Sequence, residues 1–312
     1  MATIDVDVRW ILGSRRGGPT DPPIQVHEVD ADTFILRQSK DVTYEAPFLY
    51  LLCGAERALL LDTGAVADPA ACPVRATVDS LVAGRSPDYE LVVAHTHGHG
   101  DHVAGDPQFA GRPLTTVVAR DADSVRSFFG FTTWPAEVVR FDLGGRELEI
   151  TGIPGHHAAS IAVYDPQTAF LLTGDTVYPG RLYAPDFPAF RESLERLTAF
   201  AAARDVSQVL GCHIEMTRAP GRDYPLGCRY QPEEPALPMT VTQLEAIRDA
   251  AAAARPGVRR SDDFIIYAGP CKAGQRRLAG RALLARLRRR LPCPQPGREA
   301  SQGRKAGLVT VR

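Results

Sequence analysis

Residues 95–102 read His95-Thr96-His97-Gly98-His99-Gly100-Asp101-His102, and this octapeptide decides the architecture. Four of its side chains are imidazoles and one is a carboxylate, and both groups are ligands of divalent transition metals. The two glycines let the backbone turn tightly enough for several of these side chains to converge. An apolar run typical of a buried strand, Leu91-Val92-Val93-Ala94, comes directly before it. A ligand-rich loop at the end of a strand predicts a metal site held by a rigid scaffold.

The simpler explanations for a histidine-rich run do not fit this one. An affinity tag is excluded because the run is internal, mixed in composition and preceded by a strand. A single histidine is usually a surface or core residue, but four within eight residues, beside an aspartate, are not single histidines. A metal site is therefore the preferred interpretation of this stretch.

The same context recurs further along the chain. His156 and His213 each follow a predicted strand and a glycine, and Asp175 follows a strand that ends at Gly174. Ligands that follow successive strands converge at one edge of a sheet, so we expect these side chains to join the octapeptide in one site. His27 lies outside this scheme, and we expect it to be a surface residue.

Apolar periodicity divides the chain into strands and helices. The predicted strands are 33–36, 47–52, 58–61, 91–94, 115–119, 147–151, 160–164, 168–173, 208–210 and 263–267, with 160–164 and 168–173 paired as a hairpin. The predicted helices are 73–83, 121–129, 187–204, 240–254 and 276–291, whereas 1–30 and 222–238 are expected to be irregular. This order favours an α/β or α+β sandwich, and the lack of a linker in mid-chain favours one domain.

The composition is that of a globular protein. The 312 residues are 44% hydrophobic and 23% charged, which is ample for a sizeable core. No apolar run is long enough to span a bilayer, and residues 1–7 lack the apolar stretch of a secretory signal, so a cytoplasmic protein is expected. The six cysteines are scattered without a Cys-x-x-Cys pair, which predicts mostly reduced thiols.

Charge is distributed unevenly along the chain. Residues 272–312 contain twelve Lys or Arg and one acidic residue, so this segment carries +11. The net charge of −1 then leaves −12 on residues 1–271. A basic segment on an acidic body can indicate an anionic partner, but an arginine-rich surface helix with a disordered end is the preferred interpretation. We therefore expect a domain over 1–291 and a basic, disordered tail over 292–312.

Five stretches occur in an order that resembles the metallo-β-lactamase superfamily. They are Leu60-Leu61-Asp62-Thr63-Gly64, His97-x-His99-x-Asp101-His102, Pro154-Gly155-His156, Thr173-Gly174-Asp175 and Gly211-x-His213. The second motif is highly specific, and the others are weak alone but strong in series. The resemblance spans about residues 30–270. It implies an α+β fold, the four-layer αββα sandwich, with the metals at one edge of two facing sheets.

The resemblance also implies a ligand set. His97, His99 and His156 would hold one metal; Asp101, His102 and His213 would hold the second; and Asp175 would bridge the two. Two zinc ions per chain are expected, with iron or manganese as alternatives. Asp62 is not a ligand in this pattern and is expected to orient a ligand histidine or the loop.

Some residues depart from the pattern or have no place in it. His95 and His157 match no ligand position, and Cys212 is expected to be an inert neighbour of His213. Asp175 occupies the bridging position. Those β-lactam-hydrolysing members of the superfamily that have a cysteine at this position differ from this chain. The chain therefore looks closer to the glyoxalase II-like and lactonase-like branches.

The chemistry that the resemblance implies is hydrolysis of an ester, thioester, lactone or lactam by attack of a metal-bridging hydroxide. Asp101 is expected to accept a proton as well as to bind metal. In the segment 176–183, Tyr178 and Tyr183 are predicted to hydrogen-bond the tetrahedral oxyanion. Arg181 would either hold a substrate carboxylate or be a surface arginine of an ordinary loop.

Other classes of function remain open at this point. Some members with this motif are mononuclear iron oxygenases that act on persulfides, and metal analysis would separate them from a two-zinc hydrolase. A phosphodiesterase or nuclease is opposed by the −12 charge of the body. A binding protein with a decayed site is disfavoured because all seven expected ligands are present. The expected partner is a small-molecule substrate, with neither membrane nor nucleic acid, and the oligomeric state is undefined.

Overall fold

Two large sheets, one smaller sheet and five α-helices organise the computed structural model, which describes residues 8–15 and 20–269. The strands are β1 Ile24–Asp30, β2 Thr33–Gln38, β3 Phe48–Cys53, β4 Arg57–Leu61, β5 Glu90–Ala94, β6 Thr115–Val117, β7 Val138–Asp142, β8 Glu147–Gly152, β9 Ile161–Asp165, β10 Phe170–Gly174, β11 Arg181–Ala184, β12 Gln208–Gly211, β13 Gly257–Arg260 and β14 Ile265–Ala268. The α-helices are α1 Val74–Leu81, α2 Gly100–Val103, α3 Ala122–Phe129, α4 Phe187–Ala202 and α5 Val241–Ala252.

The first sheet has six strands in sequence order, from β1 to β6. Strands β1 to β4 are antiparallel neighbours, whereas β4, β5 and β6 run parallel. The second sheet has the order β12-β10-β9-β8-β7, and its β10 and β12 are parallel. A smaller sheet, β11-β14-β13, completes the strands of the described residues. Parallel neighbours in both large sheets bring the loops that follow β4, β5, β10 and β12 to the same edge.

The main apolar core lies between the two large sheets. Alternate residues of β3 and β4, such as Tyr50 and Leu59, meet residues of β8 and β9, such as Ile150 and Val163, and all four are buried. A second cluster packs α1 on the outer face of the first sheet, and a third packs α4 and α5 on the outer face of the second. The layers are therefore helix, sheet, sheet and helix, which confirms the predicted αββα sandwich.

Local sequence signals explain where the longer helices begin. Asp121 accepts a hydrogen bond from the Ser124 amide and caps α3, as predicted. Thr240 and Gln243 form a reciprocal capping box at α5. Helix α4 follows the predicted helical spacing, since Phe190, Leu194, Leu197 and Phe200 are all buried against the second sheet.

The sequence-based predictions fail at several strands. The prediction that residues 1–30 are irregular is wrong for residues 24–30, because β1 pairs with β2 along its length. The segment 176–183 is not wholly a loop, since β11 pairs with the distant β14. Strands β7 and β13 were not predicted, and both carry exposed residues that hide the apolar alternation. These strands depend on long-range pairing more than on local pattern.

Several expectations fall on residues that the structure does not describe. The predicted helix 276–291 and the tail 292–312 lie outside the described residues. Of the described cysteines, Cys53, Cys72 and Cys212 are free and buried, whereas Cys228 is disulfide-bonded. None of the helices within 8–15 and 20–269 is both long and apolar enough to cross a membrane.

Candidate metal centre

Five strand ends supply the side chains of the candidate centre. Asp62 follows β4, the octapeptide follows β5, His156 follows β8, Asp175 follows β10, and His213 follows β12. All seven predicted ligands come from the last four of these strand ends. The structure brings them together in two adjacent groups, His97-His99-His156 and Asp101-His102-Asp175-His213, within each of which the candidate ligand atoms lie within 4.8 Å.

Three imidazole nitrogens form the first group. His97 Nε2 lies 3.0 Å from His99 Nδ1, and His156 Nε2 lies 3.2 Å and 2.9 Å from these two atoms. Tetrahedral zinc with bonds of about 2.0–2.1 Å places its nitrogen ligands roughly 3.3 Å apart. The three nitrogens, at 2.9–3.2 Å from one another, therefore converge closely enough to hold one metal ion.

The electrostatics of the first group favour neutral rings with free lone pairs. Burial lowers the pKa of His97 well below its usual range, and neighbouring histidines lower it further. Burial together with His156 and His157 lowers the pKa of His99 to about 4. His156 donates from Nδ1 to the Tyr183 carbonyl at 2.8 Å, which leaves Nε2 to face the other two rings. A neutral imidazole nitrogen is the form that binds a metal.

The second group alternates imidazoles and carboxylates. His213 Nε2 lies 3.4 Å from Asp101 Oδ2 and 3.4 Å from Asp175 Oδ1, and His102 Nε2 lies 3.6 Å from each of the same oxygens. Burial alone would lower the pKa of His213, but Asp175 and Asp101 raise it to about 9. Burial would raise the pKa of Asp101, but His213 and His102 lower it to about 2.

Asp175 lies between the two groups. Its Oδ1 faces His102 and His213, whereas its Oδ2 lies 3.8 Å from His156 Nε2. Among the described atoms, Asp175 Oδ1 and His102 Nε2 are buried without a hydrogen-bond partner. Buried polar atoms are normally paired, so these two atoms mark a place for a ligand that satisfies them. The donor set and these two unpaired atoms together fit metal binding.

Asp62 supports the second group through hydrogen bonds to its carboxylate. It is fully buried and adopts φ +72°, a left-handed backbone that is uncommon for aspartate. Its carboxylate accepts hydrogen bonds from the Thr96 amide at 2.7 Å, from Thr96 Oγ1 at 2.8 Å and from His102 Nδ1 at 2.9 Å. It therefore fixes both the start of the octapeptide and the ring of His102.

The close approach of Gly174 to Thr96 sets the position of the Asp175 carboxylate. Gly174 has φ +53°, and a Cβ there would lie 2.6 Å from Thr96 Cβ. Only glycine combines this backbone with this contact. The second sheet can thus carry Asp175 directly against the octapeptide of the first.

The other histidines and Cys212 lie beside the two groups. His95 is buried with Nε2 3.3 Å from Asp106, and His157 accepts a hydrogen bond from the Ala159 amide. Cys212 lies 3.3 Å from the Asp62 carboxylate, and burial together with Asp62 raises the pKa of its thiol. Asp62, His102 and Cys212 also lie close enough to form a third group, but Asp62 already accepts several hydrogen bonds there. His27 is half-buried against Trp10 and far from the centre in sequence.

A cavity of about 240 Å³ opens onto the centre. Its lining includes five of the predicted ligands, His99, Asp101, His156, Asp175 and His213. Tyr178, Arg181 and Tyr183 also line it. These are the three residues of the segment 176–183 for which the sequence suggested a contact with the substrate. The rest of the wall comes from segments to which the sequence assigned no role, including Lys40, Tyr44, Glu45, Glu215 and Gln231. No local motif marks these five residues.

The two predicted tyrosines differ in what their hydroxyls can do. Tyr178 is buried and donates to the Arg181 carbonyl at 2.5 Å, so its proton is engaged within the protein. The Tyr183 hydroxyl accepts from Arg181 Nε at 3.1 Å, which leaves its own proton to donate. Of the two, Tyr183 has the hydroxyl that can serve a substrate.

Arg181 is committed to protein partners. It is ion-paired with Glu215 and with Asp223, and Nη1 also donates to the Tyr224 carbonyl at 2.9 Å. Burial alone would lower its pKa, but Glu215 raises it above the usual range. The hypothesis that Arg181 holds a substrate carboxylate is therefore not supported, and its alternative as a surface arginine is wrong because the side chain is 4% exposed.

Comparison with known proteins agrees with the fold. The family model described as the metallo-beta-lactamase superfamily matches residues 43–213. A hydroxyacylglutathione hydrolase from Methylococcus capsulatus is 31% identical over 169 residues, which cover 53% of this chain and 63% of that protein. A hydroxyacylglutathione hydrolase from a Synechococcus strain is 28% identical over 239 residues, which cover 72% of this chain and 85% of that protein.

A solved structure shows the same architecture. The crystal structure of a metallo-β-lactamase from Erythrobacter litoralis superposes with a TM-score of 0.51 at 14% identity, over 76% of this chain and 99% of that one. The likeness concerns the fold alone. Because the family model covers more than half of the chain, the chain belongs to the metallo-β-lactamase superfamily.

Proposed function

We propose that this protein is a binuclear metal-dependent hydrolase that cleaves a thioester. One observation carries the proposal: two complete ligand groups lie side by side and share Asp175 between them. The relatives named hydroxyacylglutathione hydrolases support the thioester, because an acylglutathione is a thioester. Esters and lactones present the same carbonyl chemistry and are the nearest alternatives.

The metals would be zinc, held by His97, His99 and His156 on one side and by Asp101, His102 and His213 on the other. This assignment rests on nitrogen spacings that suit tetrahedral zinc. When bound, two zinc ions supply Lewis acidity and a hydroxide nucleophile at neutral pH. Asp175 would hold the two sites together through its two oxygens.

The residues of the chain would position the substrate and move protons. Asp101 lines the cavity and its carboxylate lies against His213, so it would accept a proton as well as bind metal. Tyr183 would donate its hydroxyl proton to the oxyanion that forms at the thioester carbonyl, because Arg181 already donates to its oxygen. The buried Tyr178 would serve to shape the wall, since its proton is held by a carbonyl.

The mononuclear iron oxygenase is the less favoured candidate. Such a site needs two histidines and one carboxylate, and it would leave the remaining ligands of the centre without a metal. His102 Nε2 and Asp175 Oδ1 are unpaired among the described atoms of the second group, which argues for an occupant there. Zinc hydrolysis accounts for both groups.

An activity panel with metal analysis tests the proposal. The metal content of the protein purified without added metal is measured first, and the protein is then assayed, as purified and after loading with zinc or iron, on S-lactoyl and S-acetyl thioesters, a lactone, a β-lactam, a phosphodiester and a persulfide. We expect thioester turnover at about two zinc per chain and no oxygen uptake. Turnover of the persulfide alone, with one iron per chain, would establish the oxygenase instead.

A further inference from the structure

His213 follows an edge strand of the second sheet. Strand β12 ends two residues before it, and within the described residues β10 is the only neighbour of β12 in that sheet. The Cys212 amide donates to the Gly174 carbonyl of β10 at 3.1 Å, and an isolated bridge to Met239 lies further back, at Val209. Strand ends open more readily than strand centres, so a metal ligand in this position needs support from outside its own sheet.

Three hydrogen bonds from the first sheet provide this support. They join residues 45–50, which lead into β3 and are here called the clamp segment, to residues 211–213. The bonds are those of Tyr50 Oη to the Gly211 carbonyl at 2.6 Å, of the Phe48 amide to the Cys212 carbonyl at 2.8 Å, and of His213 Nδ1 to the Glu45 carbonyl at 3.1 Å. Three consecutive residues of the ligand-bearing segment are therefore each fixed to the opposite sheet.

Tyr50 makes its bond across the apolar core. It lies in β3, is 1% exposed and belongs to the cluster between the two large sheets. Burial raises the pKa of its phenol well above the usual range, and Cys212 and Asp62 raise it further, so the hydroxyl keeps its proton to donate. The other two bonds use backbone groups of the clamp segment. Tyr50 is thus the member of the clamp segment whose bond a substitution can remove without altering the backbone.

The backbone of the clamp segment is strained beside the Glu45 carbonyl. Ala46 has φ +44°, in the left-handed region, and is 1% exposed. Pro47 follows it, and a residue before proline favours an extended backbone. Such a conformation persists only where the surrounding structure holds it, and strained residues of this kind cluster at functional sites. The strain therefore lies next to the carbonyl that accepts from His213.

From these contacts we propose that Tyr50 is a positioning residue for the second metal. It holds the end of β12 so that His213 Nε2 stays 3.4 Å from Asp101 Oδ2 and 3.4 Å from Asp175 Oδ1. The inference rests on the metal binding of the proposed function and adds a core residue that acts through the backbone of the ligand-bearing segment. Because the clamp segment bonds to the segment of His213, the second ligand group is the one that depends on Tyr50.

Tyr50→Phe and Tyr89→Phe form a matched pair. Each removes one hydroxyl and keeps the ring, so the apolar packing is retained. Tyr89 Oη donates to the Gly54 carbonyl at 2.9 Å, and Tyr89 is 7% exposed. Gly54 follows β3 at the end opposite to the clamp segment. Both variants thus take a tyrosine donor from the carbonyl of a buried glycine, but only Tyr50→Phe does so beside a metal ligand.

The zinc affinities of the two groups give a readout that a merely structural role would not move selectively. Each variant, in metal-free form, is titrated with zinc against a chromophoric chelator, and urea unfolding is measured on the same samples. In Tyr50→Phe we expect the zinc affinity of the second group to fall by about 3- to 10-fold, at or below the lower end of the range for a residue that bonds a metal ligand directly. The first group should stay within about twofold, as should both groups in Tyr89→Phe.

The unfolding data show whether the pair is matched. The two variants should lower the urea midpoint to a similar degree, since each loses one buried hydrogen bond. An equal effect of Tyr50→Phe on both zinc sites, the same effect from Tyr89→Phe, or an unchanged second site in Tyr50→Phe would overturn the inference.

A measurement on the metal-free protein separates this inference from the proposed function. Nitrogen–proton NMR spectra of the imidazole rings detect the Nδ1–H of His213, which is assigned by its loss in His213→Gln. We expect this proton to exchange with water at least about fivefold faster in Tyr50→Phe than in the unaltered protein or in Tyr89→Phe, because its bond to the Glu45 carbonyl opens more often. If this pattern holds and no thioester is hydrolysed, the proposed function fails and the positioning role stands. If the exchange rate is the same in all three proteins, the positioning role fails whatever the activity.

Discussion

Asp62→Asn should weaken one metal site and spare the other. The Asp62 carboxylate accepts from His102 Nδ1 at 2.9 Å, and no candidate ligand of the first group appears among its hydrogen-bond donors. Asparagine keeps the shape and tolerates the φ of +72° better than most residues. What it removes is the negative charge that orients and polarises the ring of His102.

The size of the effect follows from that one hydrogen bond. A hydrogen bond to a charged group contributes about 1.5–3 kcal/mol, which corresponds to roughly 10- to 150-fold in an equilibrium constant. Loss of an outer partner of a metal-bound histidine costs about 10- to 100-fold in metal affinity, which agrees. We therefore expect zinc affinity of the second group to fall by about 10- to 100-fold and that of the first to stay within about twofold.

Competition titration measures both affinities. Metal-free protein is titrated with zinc against a chromophoric chelator, and the two dissociation constants are fitted separately. Asp106→Asn is the matched control, because Asp106 lies beside His95 and outside both candidate ligand groups. Equal weakening of both zinc sites by Asp62→Asn, or the same effect from Asp106→Asn, would refute the assigned role of Asp62.

Two further predictions concern the ligands and the backbone. His99→Ala should abolish hydrolysis and lower the zinc content, whereas His157→Ala should keep both, as measured by turnover and by elemental analysis. Gly174→Ala should lower the free energy of unfolding by about 1–3 kcal/mol more than Gly145→Ala, because a Cβ at Gly174 meets another side chain at 2.6 Å whereas Gly145 has open space, as measured by urea unfolding.

Each of these predictions has an opposing result. Full turnover in His99→Ala would remove that residue from the metal site. Equal destabilisation by the two glycine substitutions would show that the contact under Gly174 relaxes without cost.

The strongest local signals in the sequence were enough for the family and the fold. The octapeptide, Gly155-His156 and Gly174-Asp175 could be located because each combines unusual residues with a strand that precedes it. The hairpin of β9 and β10 and the helix α4 were also predicted, since their apolar spacing is regular. These features depend on residues close together in the chain.

What the sequence did not predict depends on distant contacts. Strand β11 forms because it pairs with β14. Its residue Arg181 is paired with Ile265, more than eighty residues further along the chain. Lys40 lies in the cavity wall and pairs with Glu234, and nothing near Lys40 in the sequence indicates that pairing. Arg181 could not be assigned from sequence either, because its carboxylate partners Glu215 and Asp223 lie in another segment.

Metal stoichiometry tests the central claim most directly. Native mass spectrometry of the metal-free protein titrated with zinc counts the ions on each chain, and thioester turnover is followed in the same samples. We expect two ions to bind per chain and turnover to rise with occupancy of the second. A chain that saturates at one ion, with full thioester turnover at that point, would contradict a binuclear hydrolase.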